Sequence, residues 1–277
     1  MSPLEFVLAL GGVSVAAGFV GSLIGLGGGI IVVPALTLLF GIDIRYAIGA
    51  SIVSVIGTSS GAAAAYVREH LTNLRAAMFL ELGTTAGAVS GAYLAGLLHG
   101  RWLYLIFGVV LAQSAFGFLR KMTVPAGPVP PDRWADQLQL HGSYFDEARG
   151  REVSYRVTNT RLGLVLMWLA GLFSGLLGLG SGTLKVSAMD IAMRMPIKIS
   201  TATSNLMIGV TAAASAGVYF LRGDIDPIVA APVALGVVVG AFAGSRILGR
   251  TDSRLLRTIF LVVLVFVASQ MIWKAFR

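Results

Sequence analysis

The chain has 277 residues, of which 56% are hydrophobic and only 12% charged. A soluble domain carries about 25% charged residues, so this composition excludes an ordinary soluble enzyme and describes a polytopic membrane protein. There is no cysteine, and the net charge is +8. The first fact excludes disulfides, thiolate metal sites and thiol relays. The second would suggest nucleic acid in a soluble protein, but here it suits basic loops that meet anionic lipid. His70, His99 and His141 are scattered without metal-ligand spacing. No paired carboxylates or Ser–Lys dyad marks a catalytic site. The expectation is therefore no enzyme, no metal, no cofactor and no nucleic-acid partner.

In chain order, Leu4 to Ile24 is apolar and runs into a glycine run, Gly25-Leu26-Gly27-Gly28-Gly29. Its start, Met1-Ser2-Pro3-Leu4-Glu5, lacks the basic region of a signal peptide and reads as retained structure. Ile30 to Phe40 is an 11-residue apolar segment, which as helix covers about half of the hydrocarbon thickness. Spans are expected near 44–67, 74–98 and 101–121, then one polar stretch over 122–160. Leu162 to Leu177 leads into a second glycine run, Gly178-Leu179-Gly180-Ser181-Gly182, and Thr183 to Met193 is again of half length. Spans near 197–221, 226–248 and 254–274 complete the chain. Within the polar stretch, Pro125, Pro128, Pro130 and Pro131 form a stiff exit from the membrane. His141 to Val157 then alternates as a β-hairpin turning at Gly150, and reads chiefly as part of a cytoplasmic connector.

Shifted by 153 residues, the sequence matches itself without gaps from about 18–93 onto 171–246, with about a quarter of positions identical. Gly25, Gly27 and Gly29 fall on Gly178, Gly180 and Gly182; Ser51 falls on Ser204, Thr58 on Thr211 and Tyr66 on Tyr219. The expected organisation is a first repeat at 1–121, a loop at 122–160 and a second repeat at 161–277. If each broken segment enters and leaves by one face, each half has three full spans and the halves are inverted. One face then collects Arg68, Arg75, the basic residues between 120 and 161, Arg194, Lys198, Arg246, Arg250, Arg254 and Arg257. The other holds only Arg45, Arg101, Arg222, Lys274 and Arg277. If the broken segments cross fully, the halves are parallel and most of this bias disappears. The positive-inside rule prefers the inverted arrangement, with 122–160 cytoplasmic and both termini outside a plasma (inner) membrane. The fold class expected is thus all-α, with two inverted repeats that each open on a glycine-broken, re-entrant helix followed by three spans.

A broken helix in lipid must have its freed backbone groups satisfied. Glycine lets the chain unwind, and the half-helix that follows presents free N–H groups suited to an anion. Discontinuous helices at a repeat interface mark the substrate sites of many secondary transporters. The residues expected to bind substrate are therefore Gly27, Gly28 and Gly29 at the first break and Gly180, Ser181 and Gly182 at the second. Lys185 joins them as the basic residue that lies neither in a loop nor at a helix end. Ser51, Ser204 and Asn205 could complete the shell, as donors on the matching spans. Glu81, the clearest intramembrane carboxylate, is the candidate for proton coupling. The ridges Gly83, Gly87, Gly91 and Gly236, Gly240, Gly244 mark close helix contacts, within the protomer or between the protomers of a homodimer.

Gly21-Ser22-Leu23-Ile24-Gly25-Leu26-Gly27-Gly28-Gly29-Ile30-Ile31-Val32-Val33-Pro34 resembles the N-terminal signature of the TauE/SafE sulfite-exporter-like permeases. Gly175-Leu176-Leu177-Gly178-Leu179-Gly180-Ser181-Gly182 is similar to its second-half counterpart, and Gly142-Ser143-Tyr144-Phe145-Asp146-Glu147 to a loop found in some members. The chain departs from strict two-fold equivalence at Lys185 and Ser187, where the first repeat has Val32 and Pro34. The resemblance implies transport of small sulfur-containing anions, such as sulfite, sulfoacetate, other organosulfonates or thiosulfate, outward in some members and inward in others. An anion-selective channel using the same breaks as its filter is the alternative.

Overall fold

The structure is a computed structural model that describes residues 2–24, 29–68, 71–119, 129–146, 150–248 and 253–276. It is built from α1 (Pro3–Ile24), α2 (Gly29–Leu39), α3 (Ile44–Arg68), α4 (Leu74–Leu97), α5 (Gly100–Leu119), α6 (Arg133–Gln137), β1 (Gly142–Asp146), β2 (Arg151–Tyr155), α7 (Thr160–Leu177), α8 (Gly182–Ser187), α9 (Ile197–Arg222), α10 (Pro227–Leu248) and α11 (Ser253–Ala275). A π-helical turn, Ala188–Ala192, extends α8. Every span expected from the sequence is a helix, and both half-length segments are present.

Local chemistry accounts for the helix ends. Ser2 and Glu5 form a reciprocal capping box at the start of α1, each accepting from the other's backbone N–H. The Asn73 side chain accepts from the Ala76 N–H and opens α4. α7 stops at Gly178 and α9 at Gly223, both in the left-handed conformation that terminates helices. At the end of α4, Arg45 donates to the Gly96 and Leu98 carbonyls and Arg222 to that of Ala92, cations matched to the negative pole of that helix.

By length and composition, Pro3–Gly21, Thr160–Leu177, Ile197–Arg222 and Pro227–Gly244 are long and apolar enough to cross a membrane. α3 and α4 are as long but richer in Ser, Thr, Gly and Ala, because much of their surface faces protein: Ser51, Ser54, Ala76, Gly83, Thr84, Gly87 and Gly91 are all buried.

The glycine ridges determine how the helices pair. A Cβ at Gly83, Gly87 or Gly91 would overlap backbone atoms of Leu164, Trp168 or Leu172, so α4 lies against α7 and runs in the same direction. Gly236 and Gly240 meet Gly11 and Val15 in the same way, so α10 lies alongside α1. The ridges are thus contacts within the protomer. Asn73, Glu81 and Arg222 link α4 to α9 at Thr203, Thr211 and Ala92, again side by side in one direction. Gly49 packs on Asp224 and Gly57 on Val238, which aligns α3 with α10. α3 and α9 run oppositely, with Gly49 beside Asp224 and Ser59 beside Gly209. Two bundles result: α1, α3 and α10, and α4, α7 and α9, meeting along α3 and α9. Each bundle draws helices from both sequence repeats. α5 and α11 pack on each other, with Gly108 against Ala268 and Ile272.

At the end where α1 begins, the Phe6 ring stacks edge-on against Phe40 at 5.9 Å, just beyond the end of α2. Where α7 begins, Thr158 donates its N–H to the Met193 carbonyl and Asn159 its amide to the Ala192 carbonyl. These contacts put Phe40 beside the first turns of α1 and Met193 beside the residues that precede α7.

Residues 129–146 and 150–160 are folded and docked. β1 and β2 pair antiparallel, Tyr144 opposite Val153, and Gly150 turns at φ +60°. Asn73 donates its amide to the Leu140 carbonyl and the Tyr155 hydroxyl. Asp132 accepts from the N–H groups of Trp134 and Ala135 and from both the N–H and hydroxyl of Thr160, which fastens α6 to the head of α7. A buried cluster of Met167, Met189, Met193, Met195 and Met207 joins Ala135, Leu140 and Val157 of this cap to α7, α8 and α9. Methionine is unbranched and conforms to irregular gaps, so this is adaptable packing. The expectation of a simple connector missed this docking.

Candidate functional site

The second break is described in full. Gly178 and Gly180 take φ of +66° and +71°, and Ser181, which is not glycine, takes +47°. That is a strained conformation for a serine. The Ser181 hydroxyl is buried and has no hydrogen-bond partner among the described residues. Around it the break is lined largely by apolar side chains: Gly178 packs against Ile48 and Ile52, Gly180 against Val55 and Ile208, and Gly182 against Ile208.

At the first break, Gly27 and Gly28 lie outside the described residues. Gly29, the first residue of α2, lies against Ser51, Val55 and the Gly178 carbonyl, so a Cβ there would overlap the second break. Gly29 thus meets the second break in the interior. Ser51 donates its hydroxyl to the Gly178 carbonyl at 2.8 Å, and Ser204 donates at 3.4 Å to that of Gly182. The Ser51 hydroxyl thereby satisfies a carbonyl freed by the unwinding at the end of α7. Asn205 turns back onto its own helix, donating to the Thr201 carbonyl. Of the residues expected at the second break, Ser181 is the one with a side-chain donor, and that donor has no partner among the described residues.

Lys185 is fully buried, with 0% relative exposure. Its backbone N–H bonds to the Ser181 carbonyl, so it stands one helical turn past the break. Its Nζ donates to Thr211 Oγ1 at 2.7 Å. Thr211 Oγ1 in turn lies 2.7 Å from Glu81 Oε1 and 2.6 Å from the Met207 carbonyl. Thr85 adds a further donor to Glu81 Oε1 at 3.1 Å, while Glu81 Oε2 is buried without a partner. The residue expected to attract an anion and the residue expected to carry a proton are thus ends of one relay, Lys185–Thr211–Glu81, drawn from α8, α9 and α4. A hydroxyl has a single proton. Thr211, accepting from Lys185, can donate either to Glu81 or to Met207, but not to both.

Thr211 is the member that sequence reasoning did not single out: it was one of several hydroxyls on two matching spans. Its repeat mate Thr58 bonds only to its own helix, at the Ser54 and Val55 carbonyls. The positions equivalent to Lys185 and Glu81 hold Val32 and Ala234. The relay therefore occurs once in a chain whose glycine pattern occurs twice in sequence.

Comparisons with known proteins concern the chain as a whole. The model of the family Sulfite exporter TauE/SafE matches residues 10–271. The probable membrane transporter protein YunE of Bacillus subtilis (strain 168) is 26% identical over 265 residues, covering 93% of this chain and 94% of that protein. A probable membrane transporter protein of Xylella fastidiosa (strain 9a5c) is 26% identical over 262 residues, with 93% and 92% covered. The probable membrane transporter protein ORF9 of a Sinorhizobium species is 28% identical over 257 residues, with 92% and 88% covered. No solved structure matches.

Proposed function

The chain belongs to the sulfite exporter TauE/SafE family of membrane transporters, and from that premise we propose that it is a secondary permease for small sulfur-containing anions such as sulfite, sulfoacetate or other organosulfonates. The observation that carries this reading is a fully buried lysine, Lys185, one turn beyond a broken helix whose Ser181 hydroxyl is buried and unpartnered. A buried cation beside an idle donor suits an oxyanion. The substrate shell combines Gly27, Gly28, Gly29, Gly180, Gly182, Ser181 and Lys185, with Ser51, Ser204 and Asn205 around it, and Glu81 as the proton-carrying group.

The site lies between two inverted repeats with re-entrant first helices in the plasma membrane, 122–160 facing the cytoplasm. Three contacts support this: α4 runs with α7 and α10 with α1, α3 runs against α9, and Phe40 and Met193 return beside the chain segments at which α1 and α7 begin. Alternating access then moves one mixed bundle against the other along α3 and α9. The packing of Ile48, Ile52, Val55 and Ile208 on the break favours a carrier with an occluded site over an open filter.

Purified protein in liposomes tests the reading. It should accumulate labelled sulfite or an organosulfonate saturably, and Lys185→Met should abolish the uptake. Liposomes that move none of these anions refute the permease reading; unchanged affinity in Lys185→Met refutes the role of the lysine.

A further inference from the structure

We propose that Glu81 is a tethered stand-in for the substrate: a monovalent anion takes its place on Thr211 and Lys185, and the displaced carboxylate takes up one proton from water. The inference rests on the anion-permease reading above and assigns to it a charge class and a coupling stoichiometry.

The argument starts from charge. Around Glu81, α9 presents Thr211, α8 presents Lys185 and α4 itself presents Thr84 and Thr85. α7 carries no ionisable residue between 162 and 177. The relay thus holds one cation and one carboxylate in a low-dielectric interior, where an uncompensated charge is costly. The Glu81 carboxylate already does to Lys185, through Thr211, what a substrate oxyanion would do. Lys185 cannot be fully shared between two anions without leaving the site negative. A monoanion that binds with one proton, which neutralises Glu81, keeps the total charge unchanged. A dianion leaves one surplus negative charge.

Thr211 supplies the mechanical step. When Glu81 is ionised, the Thr211 proton points to Oε1; when Glu81 is protonated and withdrawn, the same proton turns to the Met207 carbonyl at 2.6 Å. The Thr211 proton has an acceptor in either state. The Ser181 hydroxyl, unpartnered among the described residues, gains the substrate as its acceptor. Because the equivalent positions are Val32, Thr58 and Ala234, there is one such exchange per chain. The site should take monosulfonates and the singly charged form of sulfite, and should rank doubly charged sulfoacetate and thiosulfate below them.

Calorimetry on the purified full chain tests this with methanesulfonate and ethane-1,2-disulfonate, each in two buffers of equal pH and different protonation enthalpy. Methanesulfonate is expected to bind with uptake of about one proton, and the disulfonate at least about tenfold more weakly. Glu81→Gln should bind methanesulfonate with the proton uptake gone, and Thr211→Ser, which keeps the hydroxyl, should retain it. Methanesulfonate binding without proton uptake in the wild type, uptake that persists in Glu81→Gln, or equal affinity for the disulfonate each overturns the proposal while leaving an anion site standing. If sulfite, methanesulfonate and the disulfonate all fail to bind, the permease reading falls and this inference with it.

Discussion

The relay makes a stability prediction that needs no substrate. Two 2.7 Å hydrogen bonds in series keep Lys185 Nζ within 5.4 Å of Glu81 Oε1. At about 5 Å and an effective dielectric near 20, opposite unit charges attract by roughly 3 kcal/mol. Removing one partner of such a pair leaves a buried charge unmatched and typically costs about 3–5 kcal/mol. Lys185→Met and Glu81→Leu should therefore each lower stability by about that amount. The double variant should recover most of the loss, because neither charge is then stranded, and a coupling of about 3 kcal/mol should close the cycle. The assay is reversible denaturant unfolding in detergent micelles for all four proteins, followed by tryptophan fluorescence. Losses that simply add in the double variant would refute the relay, because they would mean that Lys185 and Glu81 are compensated separately.

Other outcomes test the packing and the cap. Gly87→Ala and Gly240→Ala place a Cβ against the carbonyls of Trp168 and Val15, and each should cost about 2 kcal/mol or more by thermal unfolding. Gly12→Ala and Gly217→Ala, which meet nothing within 4 Å, should instead be neutral or gain about 0.5–1 kcal/mol from helix propensity. Asn73→Ala removes the α4 cap and the link to Tyr155; it should cost about 1–2 kcal/mol and speed limited proteolysis in 129–160. For Asp132, burial pushes the carboxyl up, but hydrogen bonds from Thr160, Trp134 and Ala135 outweigh it and hold it below the usual carboxylate range. A group depressed in this way stabilises fully above its unfolded value, near pH 4, and loses that contribution as pH falls through the lower folded value. Amide exchange in 129–160 should accordingly accelerate only below about pH 4, and Asp132→Asn should remove that acid transition.

Much of this fold is legible in the sequence because lipid leaves few options. Unbroken apolar stretches must be helices, and the glycine runs interrupting them leave half-length segments at 30–40 and 183–193. The hairpin shows in its alternation and in Gly150. What the sequence withholds is partnership. A ridge such as Gly83, Gly87 and Gly91 announces close approach but not the identity of the neighbour, which proves to be α7 rather than another protomer. The site divides in the same way. Lys185 and Glu81 stand out because buried charge is rare. That they share Thr211 depends on α4 and α9 lying side by side, and a hydroxyl in a span rich in Ser and Thr carries no mark of that use. Ser51 looks like a ligand donor in sequence, yet its acceptor is the Gly178 carbonyl, which only the fold brings to it. The docking of the cap is hidden for a related reason, since Asp132 and Thr160 are 28 residues apart.

The swapped pairing of helices also has a consequence for biosynthesis. α1 leaves the ribosome more than two hundred residues ahead of α10, the helix whose Gly236 and Gly240 it must meet. α4 likewise waits for α7. Until then their small-residue surfaces face lipid or the insertion machinery, so the first half cannot reach its final packing during its own synthesis. Final assembly is post-insertional, and a chain cut within 122–128 should be inactive as either fragment alone but restored when both are made in one cell.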